Sequence, residues 1–250
     1  MFSGSQNLSH FTSKNMAIWL SMAFQGGAIN AGGFLACHRF VSHTTGFATY
    51  FGTEFSQGHW NAALGMLTVP LFFLLGAAIS GFFVDRRLVL HQRPLYTWMF
   101  AFISFAMLFI SFFGELGSFG TFGEPMEISQ DYGMLALLCL CSGIQNGTIT
   151  SASGAVVRTT HMTGITTDLG LGLVRVFAIG QSKQTKVAEA RANGMRTGLI
   201  VSFLLGSTVS SYLFFHIQYL GFLMPCLISF LLTVVAFRTS DNTSGGSSYA

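Results

Sequence analysis

Residues 197–237 read TGLIVSFLLGSTVSSYLFFHIQYLGFLMPCLISFLLTVVAF, a run of 41 residues without a single charged side chain. A helix that crosses the hydrocarbon core of a bilayer needs about 20 predominantly apolar residues, so this run is long enough for two crossings. The more polar sequence FHIQ at 215–218 interrupts the run and is predicted to form the turn between them. This stretch therefore indicates a protein that is embedded in a membrane.

Four further stretches carry no charge and are long enough to span a bilayer, namely 16–37, 60–84, 95–114 and 132–157. Only 8% of all residues are charged, against roughly 25% in a soluble domain, while 51% are hydrophobic. A cytosolic enzyme, a nucleic-acid-binding protein and a disordered chain are excluded, because none could accommodate so much apolar surface. The expected fold is an all-α polytopic membrane protein with six transmembrane helices.

Two segments, 41–57 and 157–175, are apolar enough to enter the membrane but too polar to be ordinary spans. The loops 85–93 and 183–196 are rich in Lys and Arg, whereas 115–131 contains only acidic charges. Cytoplasmic loops carry an excess of Lys and Arg. Both basic loops lie on the cytoplasmic side only if the two polar segments enter the membrane and return, which predicts two re-entrant segments and cytoplasmic termini.

An internal repeat relates the two halves of the chain. The sequence VSHTTG at 41–46 aligns with TTHMTG at 159–164, and QGGAI at 25–29 aligns with QNGTI at 145–149. With three spans in each half, the second half is upside-down relative to the first, as in many transporters. The predicted organisation is a cytoplasmic N-terminal segment (1–15), one transmembrane domain (16–238) with repeats at about 16–114 and 132–238, and a disordered tail (239–250).

Four motifs carry a resemblance to a known family: GAINA at 27–31, FVSHTTGF at 40–47, GIQN at 143–146 and TTHMTG at 159–164. With them the chain resembles the YoaK-like family of uncharacterised bacterial inner-membrane proteins. The resemblance implies a six-spanning fold and a place in the bacterial inner (cytoplasmic) membrane. Asn30 stands where the family usually has Asp, and Phe47 where it has Asn. GFFVDRR at 81–87 is weakly similar to a loop signature of major facilitator transporters, in which each half has six helices.

Amide side chains inside the membrane are candidate ligands for a polar solute, because an amide both donates and accepts hydrogen bonds. The alternative is that they only join helices beside small residues. The expected substrate-binding amides are Gln25, Asn30, Gln145 and Asn146.

The two His-x-Thr-Gly segments supply a second group of candidates. Their glycines, Gly46 and Gly164, are the expected turns or hinges of the re-entrant segments. A histidine side chain could relay protons or pair with an anion, or it could simply hydrogen-bond a neighbouring helix. The expected substrate-binding residues here are His43, Thr45, His161 and Thr163.

Asp168 is the only acidic residue between Asp131 and Glu189, and it follows His161 by seven positions, so both share one face of a helix. This pair is the candidate for proton or ion coupling. The alternative is a structural salt bridge from Asp168 to Arg158 or Arg175.

The sequence thus predicts a secondary carrier or uniporter for a small polar or anionic metabolite, with its site between inverted repeats. A channel with two opposed re-entrant segments and a non-transporting membrane scaffold or sensor are the alternatives. No enzyme motif, metal-ligand spacing or cofactor motif is present, so neither catalysis nor a cofactor is expected. The expected partners are the lipid bilayer, a small solute and a second copy in a homodimer, with 76–81 as a candidate contact, and no nucleic acid.

Overall fold

The computed structural model describes residues 12–124, 131–154, 161–178, 180 and 182–244. These residues form helices and connecting turns, with no strand among them. A π-helical turn, Gly81–Asp85, joins α3 to α4, and a 3₁₀ helix, Gln218–Phe222, joins α8 to α9. The helices are α1 (Ser13–Cys37), α2 (Thr44–Ser56), α3 (Trp60–Ser80), α4 (Arg86–Val89), α5 (Tyr96–Glu115), α6 (Asp131–Ala152), α7 (Met162–Phe177), α8 (Lys183–Ile217) and α9 (Leu223–Ser244).

Four helical stretches of the described chain are long and apolar enough to cross a membrane: Trp60–Val89, Tyr96–Glu115, Tyr132–Ala152 and Lys183–Thr239. The last contains both α8 and α9. The predicted turn in this run is confirmed, since α8 ends at Ile217 and Gln218 has a φ of 46°.

The predicted span 16–37 corresponds to α1, which is a helix but is not among the four apolar stretches. Fifteen of its 25 residues are buried, among them Gln25 and eight glycines or alanines. A helix surrounded by other helices needs small residues for close packing more than it needs bulky apolar ones. Its moderate hydropathy is therefore explained by its central position.

The segment 183–196, expected to be a loop, is the first part of α8. Ser182 is its N-cap, because the Ser182 hydroxyl accepts a hydrogen bond from the Thr185 amide at 3.2 Å. The residues that follow are mostly good helix formers such as Lys, Gln, Ala, Glu and Arg. The charges of this segment indicate that it lies outside the membrane, but charged residues do not prevent helix formation. Similarly, α9 continues past the predicted start of the tail at 239 to Ser244, the last residue that the structure describes.

Two pairs of long helices approach each other closely. They run parallel, because Leu20 and Gly32 of α1 contact Gly198 and Phe214 of α8, and Gly65 and Ser80 of α3 contact Tyr132 and Thr148 of α6. On α1 and α8, Gly27 lies against the Phe203 carbonyl and Gly206 against the Phe24 carbonyl. On α3 and α6, Gly143 lies against the Phe73 carbonyl and Gly76 against the Leu140 carbonyl. None of these four glycines has room for a Cβ atom, so the helix backbones themselves are in contact. Gly76 therefore contacts α6 of its own chain, contrary to the expectation that it faces a second copy.

The remaining long helices, α5 and α9, run antiparallel to each other. Gly114, near the end of α5, lies against Tyr219 just before α9, while the Ser104 hydroxyl donates to the Cys226 carbonyl at 3.1 Å. α9 is also antiparallel to α1, since Gly32 contacts Phe222 and Gln25 contacts Ser229. Taken together, α1, α3, α5, α6, α8 and α9 alternate in direction along the chain. We name the end that holds Ser13 the lower end.

Aromatic side chains close the upper end of the bundle. Phe122, in the segment after α5, stacks on Phe214 with ring centroids 5.8 Å apart, and Phe214 contacts Phe222 at 4.8 Å. The Tyr219 hydroxyl donates hydrogen bonds to the carbonyls of Phe119 and Gly120, at 3.1 and 3.2 Å. These contacts fasten the connection between α5 and α6 over the upper ends of α1, α8 and α9.

The positive charges concentrate at the lower end. The helix directions place Arg39 alone among the described Lys and Arg residues at the upper end. The others lie at the lower end: Lys14, Arg86, Arg87, Arg93, Arg175, Lys183, Lys186, Arg191, Arg196 and Arg238.

Candidate functional site

A polar layer lies halfway along the bundle, where α1 crosses α9. Gln25 on α1 is fully buried, and its Nε2 donates a hydrogen bond to the Ser229 hydroxyl on α9 at 2.6 Å. Its Oε1 has no hydrogen-bond partner within the described part of the chain. A buried amide oxygen without a partner costs about 1–3 kcal/mol, so Gln25 is a marked polar feature in an apolar interior.

Gln145 belongs to the same layer from the side of α6. It is 1% exposed, and its Nε2 donates to the Met22 carbonyl on α1 at 2.7 Å. The next residue, Asn146, is half-buried, and its Oδ1 has no partner among the described residues. Both glutamines therefore hold two helices together, which is the alternative role given above for the amides. The amide oxygens of Gln25 and Asn146 can still accept a hydrogen bond from a ligand.

Asn30 has a different role, because it lies near the upper end of α1. Its Oδ1 accepts hydrogen bonds from the Ser42 hydroxyl at 3.1 Å and from the Ser42 amide at 3.4 Å. Asn30 thus holds the connection that leads into α2, about one and a half helical turns above Gln25.

The two His-x-Thr-Gly segments have the same local structure. His43 is the residue before α2 and His161 the residue before α7, with backbone angles that agree within about 12°. In both, the glycine three positions later lies under the histidine ring: a Cβ at Gly46 would be 2.7 Å from His43 Nδ1, and one at Gly164 would be 2.8 Å from His161 Nδ1. The glycines therefore make room for an imidazole at the start of a helix.

These two segments lie apart from the polar layer. α2 connects the upper ends of α1 and α3 and packs against α3, while α7 connects the lower ends of α6 and α8 and packs against α8. His43, Thr45, His161 and Thr163 are all exposed on the chain. Gln145 thus contacts α1 about one helical turn before Gln25, whereas these predicted residues of the His-x-Thr-Gly segments lie at two opposite ends of the bundle.

Asp168 is exposed on α7, and it forms no ion pair with any described residue. Its predicted partner Arg175 instead lies 3.9 Å from Glu189 on α8, and Arg158 is outside the described residues. The salt bridge expected as the alternative role of Asp168 is therefore absent toward Arg175.

Glu189 forms an ionic cluster that sequence reasoning missed. Arg196 Nη1 lies 2.7 Å from Glu189 Oε1 and 2.6 Å from Asn193 Oδ1, and the side chains of Glu189 and Arg196 are only 19% and 23% exposed. Gly172 on α7 packs directly over this cluster. The seven-residue spacing of Glu189 and Arg196 on a helix would have shown their common face, had 183–196 been predicted as helical.

A groove leads from the lower end toward the polar layer. It lies between α1 and α9 and has a volume of about 350 Å³. Ser21, on its wall, is one helical turn before Gln25, and Ile228 is next to Ser229. Its other lining residues are Lys14, Ala17, Ile18, Leu231, Leu232 and Val235. The groove is thus mostly apolar, with a cation at its lower mouth.

A family model described as "Protein of unknown function (DUF1275)" matches residues 18–235. The chain belongs to the DUF1275 family. The match covers all or most of each long helix, the polar layer and both His-x-Thr-Gly segments, and the YoaK-like resemblance of the four motifs is consistent with it. Neither a curated protein nor a solved structure matches the chain.

Proposed function

We propose that this DUF1275 protein is a transporter that carries a small polar or anionic metabolite across the membrane through the polar layer around Gln25. The observation that carries the proposal is the fully buried Gln25, whose Oε1 has no partner among the described residues although Nε2 is bonded to Ser229. A solute that donates a hydrogen bond would relieve the cost of this oxygen, and a purely structural site would gain more from an apolar side chain.

The proposed topology has six crossings, with the lower end and both termini in the cytoplasm. The six long helices alternate in direction, and ten of the eleven described Lys and Arg residues lie at the lower end, as the positive-inside rule requires. α2 and α7 have 13 and 16 residues, hence lengths of about 20 and 24 Å, which are too short for a core of about 30 Å. Each returns to the side from which it starts, which supports two half-inserted segments.

The proposed inverted repeat relates α1, α2, α3 and α5 to α6, α7, α8 and α9. The contact of Gly27 with the Phe203 carbonyl has its counterpart in the contact of Gly143 with the Phe73 carbonyl. Pairing Gly27 of α1 with Gly143 of α6 gives an offset of 116 residues between these two helices. The sequence alignment of Gln25 with Gln145 gives an offset of 120 residues. The two glutamines are therefore one helical turn out of register, and they contribute to the site as different groups rather than as a symmetric pair.

Access to the site is asymmetric in this structure. The groove between α1 and α9 approaches Gln25 from the lower end, whereas Phe122, Phe214 and Phe222 close the upper end. A site that is approached from one side and closed on the other is the arrangement expected of a carrier. In the proposed transporter, this conformation is the one that faces the cytoplasm.

The proposal is tested with the full chain in proteoliposomes. A uniformly ¹³C-labelled extract of polar metabolites is added outside, and the compounds that enter are identified by mass spectrometry. We expect saturable uptake of one chemical class, reduced about tenfold or more in Gln25→Leu, because one buried hydrogen bond to the solute is lost. Gln57→Leu is the matched control, since Gln57 is exposed at the end of α2.

The same assay separates the alternatives. Uptake that rises linearly with concentration, together with single-channel currents, would favour a channel. If no labelled compound enters beyond the level of protein-free vesicles, while the protein elutes as a folded species, the transporter proposal fails and a scaffold or sensor remains.

The proposed homodimer uses the exposed face of α2. Ala48 and Gly52 lie on this face, and the hydroxyls of Thr49 and Thr53 donate to the carbonyls of Thr45 and Thr49, at 3.3 and 3.0 Å. Small side chains with satisfied hydroxyls allow two helices to approach closely inside a membrane. We expect Thr49→Cys to form a cross-linked dimer in native membranes, seen on a non-reducing gel. Leu108→Cys, on the exposed side of α5, is the control, and equal cross-linking of both variants would contradict this interface.

A further inference from the structure

The connection between α3 and α5 carries apolar and cationic side chains on one surface at the lower end. It consists of the π-helical turn, the short helix α4 and the turn after it. The chain folds back there, because the Leu95 amide donates a hydrogen bond to the Phe83 carbonyl at 3.1 Å. This segment surrounds a cavity of about 120 Å³. We name its lining the α4 pocket, which consists of Phe82, Phe83, Arg86, Arg87, Leu90 and Gln92.

The depth of the α4 pocket in a membrane follows from the length of α5. α5 has 20 residues and a length of about 30 Å, which equals the thickness of the hydrocarbon core. Its first residue, Tyr96, directly follows Leu95, which is bonded to Phe83, so Phe83 lies where the hydrocarbon core ends. Arg86 and Arg87 follow three and four residues later, about 5 Å beyond this boundary and thus at the level of the lipid headgroups.

Both arginines of the α4 pocket are held in place without being neutralised. Arg86 lies over the ring of Phe82, with Cζ 5.0 Å from the ring centroid. Nε of Arg87 donates to the Arg93 carbonyl at 2.7 Å, which leaves its two terminal nitrogens for another acceptor. In the described part of the chain, neither guanidinium forms an ion pair with a carboxylate. Guanidinium groups that are already positioned suit a phosphate, which accepts two hydrogen bonds from one guanidinium.

The charge of this segment also favours an anion. Residues 81–95 contain three arginines and one carboxylate, that of Asp85, which leaves a surplus of two positive charges. Asp85 is exposed and does not line the cavity. The phosphate of a ligand therefore meets the arginines and not the carboxylate.

The apolar part of the α4 pocket indicates what the phosphate is attached to. Phe82, Phe83 and Leu90 are exposed by 55%, 37% and 51%. The cavity admits a phosphate group but not a whole phospholipid, so the rest of a bound lipid lies along these side chains. A soluble phosphate compound leaves the three side chains in water, whereas the glycerol and acyl chains of a lipid cover them.

We propose that the α4 pocket binds the headgroup of an anionic phospholipid in the leaflet at the lower end. Arg86 and Arg87 bind the headgroup phosphate, and Phe82 and Phe83 contact the beginning of the acyl chains. Cations next to a membrane helix attract anionic lipids, and neighbouring apolar side chains add contact area. The proposal does not depend on transport, because the α4 pocket lies outside the polar layer around Gln25.

The proposal is tested by native mass spectrometry of the full chain released from membranes of equal amounts of phosphatidylglycerol and phosphatidylcholine. We expect the protein to retain phosphatidylglycerol in preference. In Arg86→Gln/Arg87→Gln this affinity should fall by about fivefold for each arginine removed. Lys183→Gln/Arg191→Gln is the matched control, since it removes the same charge from exposed positions of α8, and it should retain the preference.

Two further variants separate the geometry of the arginines and the apolar contacts from charge alone. Arg86→Lys/Arg87→Lys keeps both charges and with them the orientation of α3 in the membrane. We expect a smaller loss of affinity than with glutamine, because lysine does not donate two hydrogen bonds to a phosphate in a fixed geometry. Phe83→Ser keeps every charge, and we expect it to weaken retention of phosphatidylglycerol but not binding of glycerol 3-phosphate, which has no acyl chains.

Three outcomes contradict the proposal. It is overturned if Arg86→Gln/Arg87→Gln or its lysine counterpart retains phosphatidylglycerol as the control does. It is equally overturned if glycerol 3-phosphate displaces the lipid while Phe83→Ser has no effect, which would indicate a site for free phosphate. Protection of residues 82–90 from amide exchange that depends on protein concentration and not on lipid charge would assign this surface to a second copy.

Discussion

Gly206→Ala is expected to lower the thermal stability of the protein more than alanine at either of the other two glycines of α8, Gly194 and Gly198. The Cβ atom of the new alanine would clash with the carbonyl oxygen of Phe24 on α1. The next two nearest atoms, the carbonyl carbon and Cα, also belong to the Phe24 backbone. Backbone cannot move aside as a flexible side chain can, so the two helices have to separate. Overpacking of this kind costs about 1–3 kcal/mol, which for a chain of this size corresponds to a fall in Tm of roughly 2–12 °C.

The matched control for this prediction is Gly194→Ala, twelve residues earlier on the same helix. No atom lies within 4 Å of the Cβ position at Gly194. Alanine has a higher helix propensity than glycine by about 1 kcal/mol, so this variant should be as stable as the natural protein or slightly more stable. Both are measured as the fraction of detergent-solubilised protein that survives heating and still elutes as a folded species. Equal stability of the two variants would contradict the close contact of α1 with α8.

Glu189→Gln is expected to release α7 from the base of α8. Glu189 is the carboxylate that neutralises Arg196, at 2.7 Å, and it lies 3.9 Å from Arg175 on α7. The amide oxygen of Gln can still accept a hydrogen bond from Arg196, but no carboxylate among the described residues then neutralises this partly buried cation. Breaking a buried ion pair by removing one partner costs about 3–5 kcal/mol, and we expect about 3 kcal/mol because roughly a fifth of each side chain is exposed.

Limited proteolysis with trypsin measures this release, because Arg175 and Lys183 stand on either side of the connection between α7 and α8. We expect faster cleavage there in Glu189→Gln than in the natural protein. Asp168→Asn removes the same charge from α7 and serves as the control, since Asp168 is exposed and has no ion pair among the described residues. If Asp168→Asn accelerates cleavage as much as Glu189→Gln does, the cluster around Glu189 does not hold α7.

The apolar runs predict the helices because a helix needs about 20 consecutive apolar residues to cross the hydrocarbon core of a bilayer. The turn at 215–218 was recognised for the same reason, since a 41-residue run cannot remain one crossing. The charges of 183–196 predict a cytoplasmic loop, whereas the segment is helical. Charge determines on which side of the membrane a segment lies, but helix formation depends on backbone hydrogen bonds and on residues such as Ser182, which caps α8.

The candidate site was predicted in part. Gln25 and Gln145 stood out as amides in apolar helices, and both contribute to the polar layer. Ser229, the partner of Gln25, could not be predicted, because it is 204 residues away and a serine in a membrane helix is common. The sequence singles out Asp168 as an isolated acidic residue, but among the described residues it is Glu189 that forms ion pairs, with Arg175 and Arg196. A local pattern shows which residues are unusual, but it does not show which of them meet.

The sequence by itself determined that the protein is helical and that its apolar helices belong in a membrane. These properties follow from local composition, since hydrocarbon requires every backbone group to be bonded within its own helix. Only the tertiary structure decided which helices touch: α1 lies on α8 and α3 on α6 through glycines that admit no Cβ, and α1 crosses α9 at Gln25. Such contacts depend on complementary shapes that are far apart in the chain, and lipid gives helices no apolar preference for one neighbour over another.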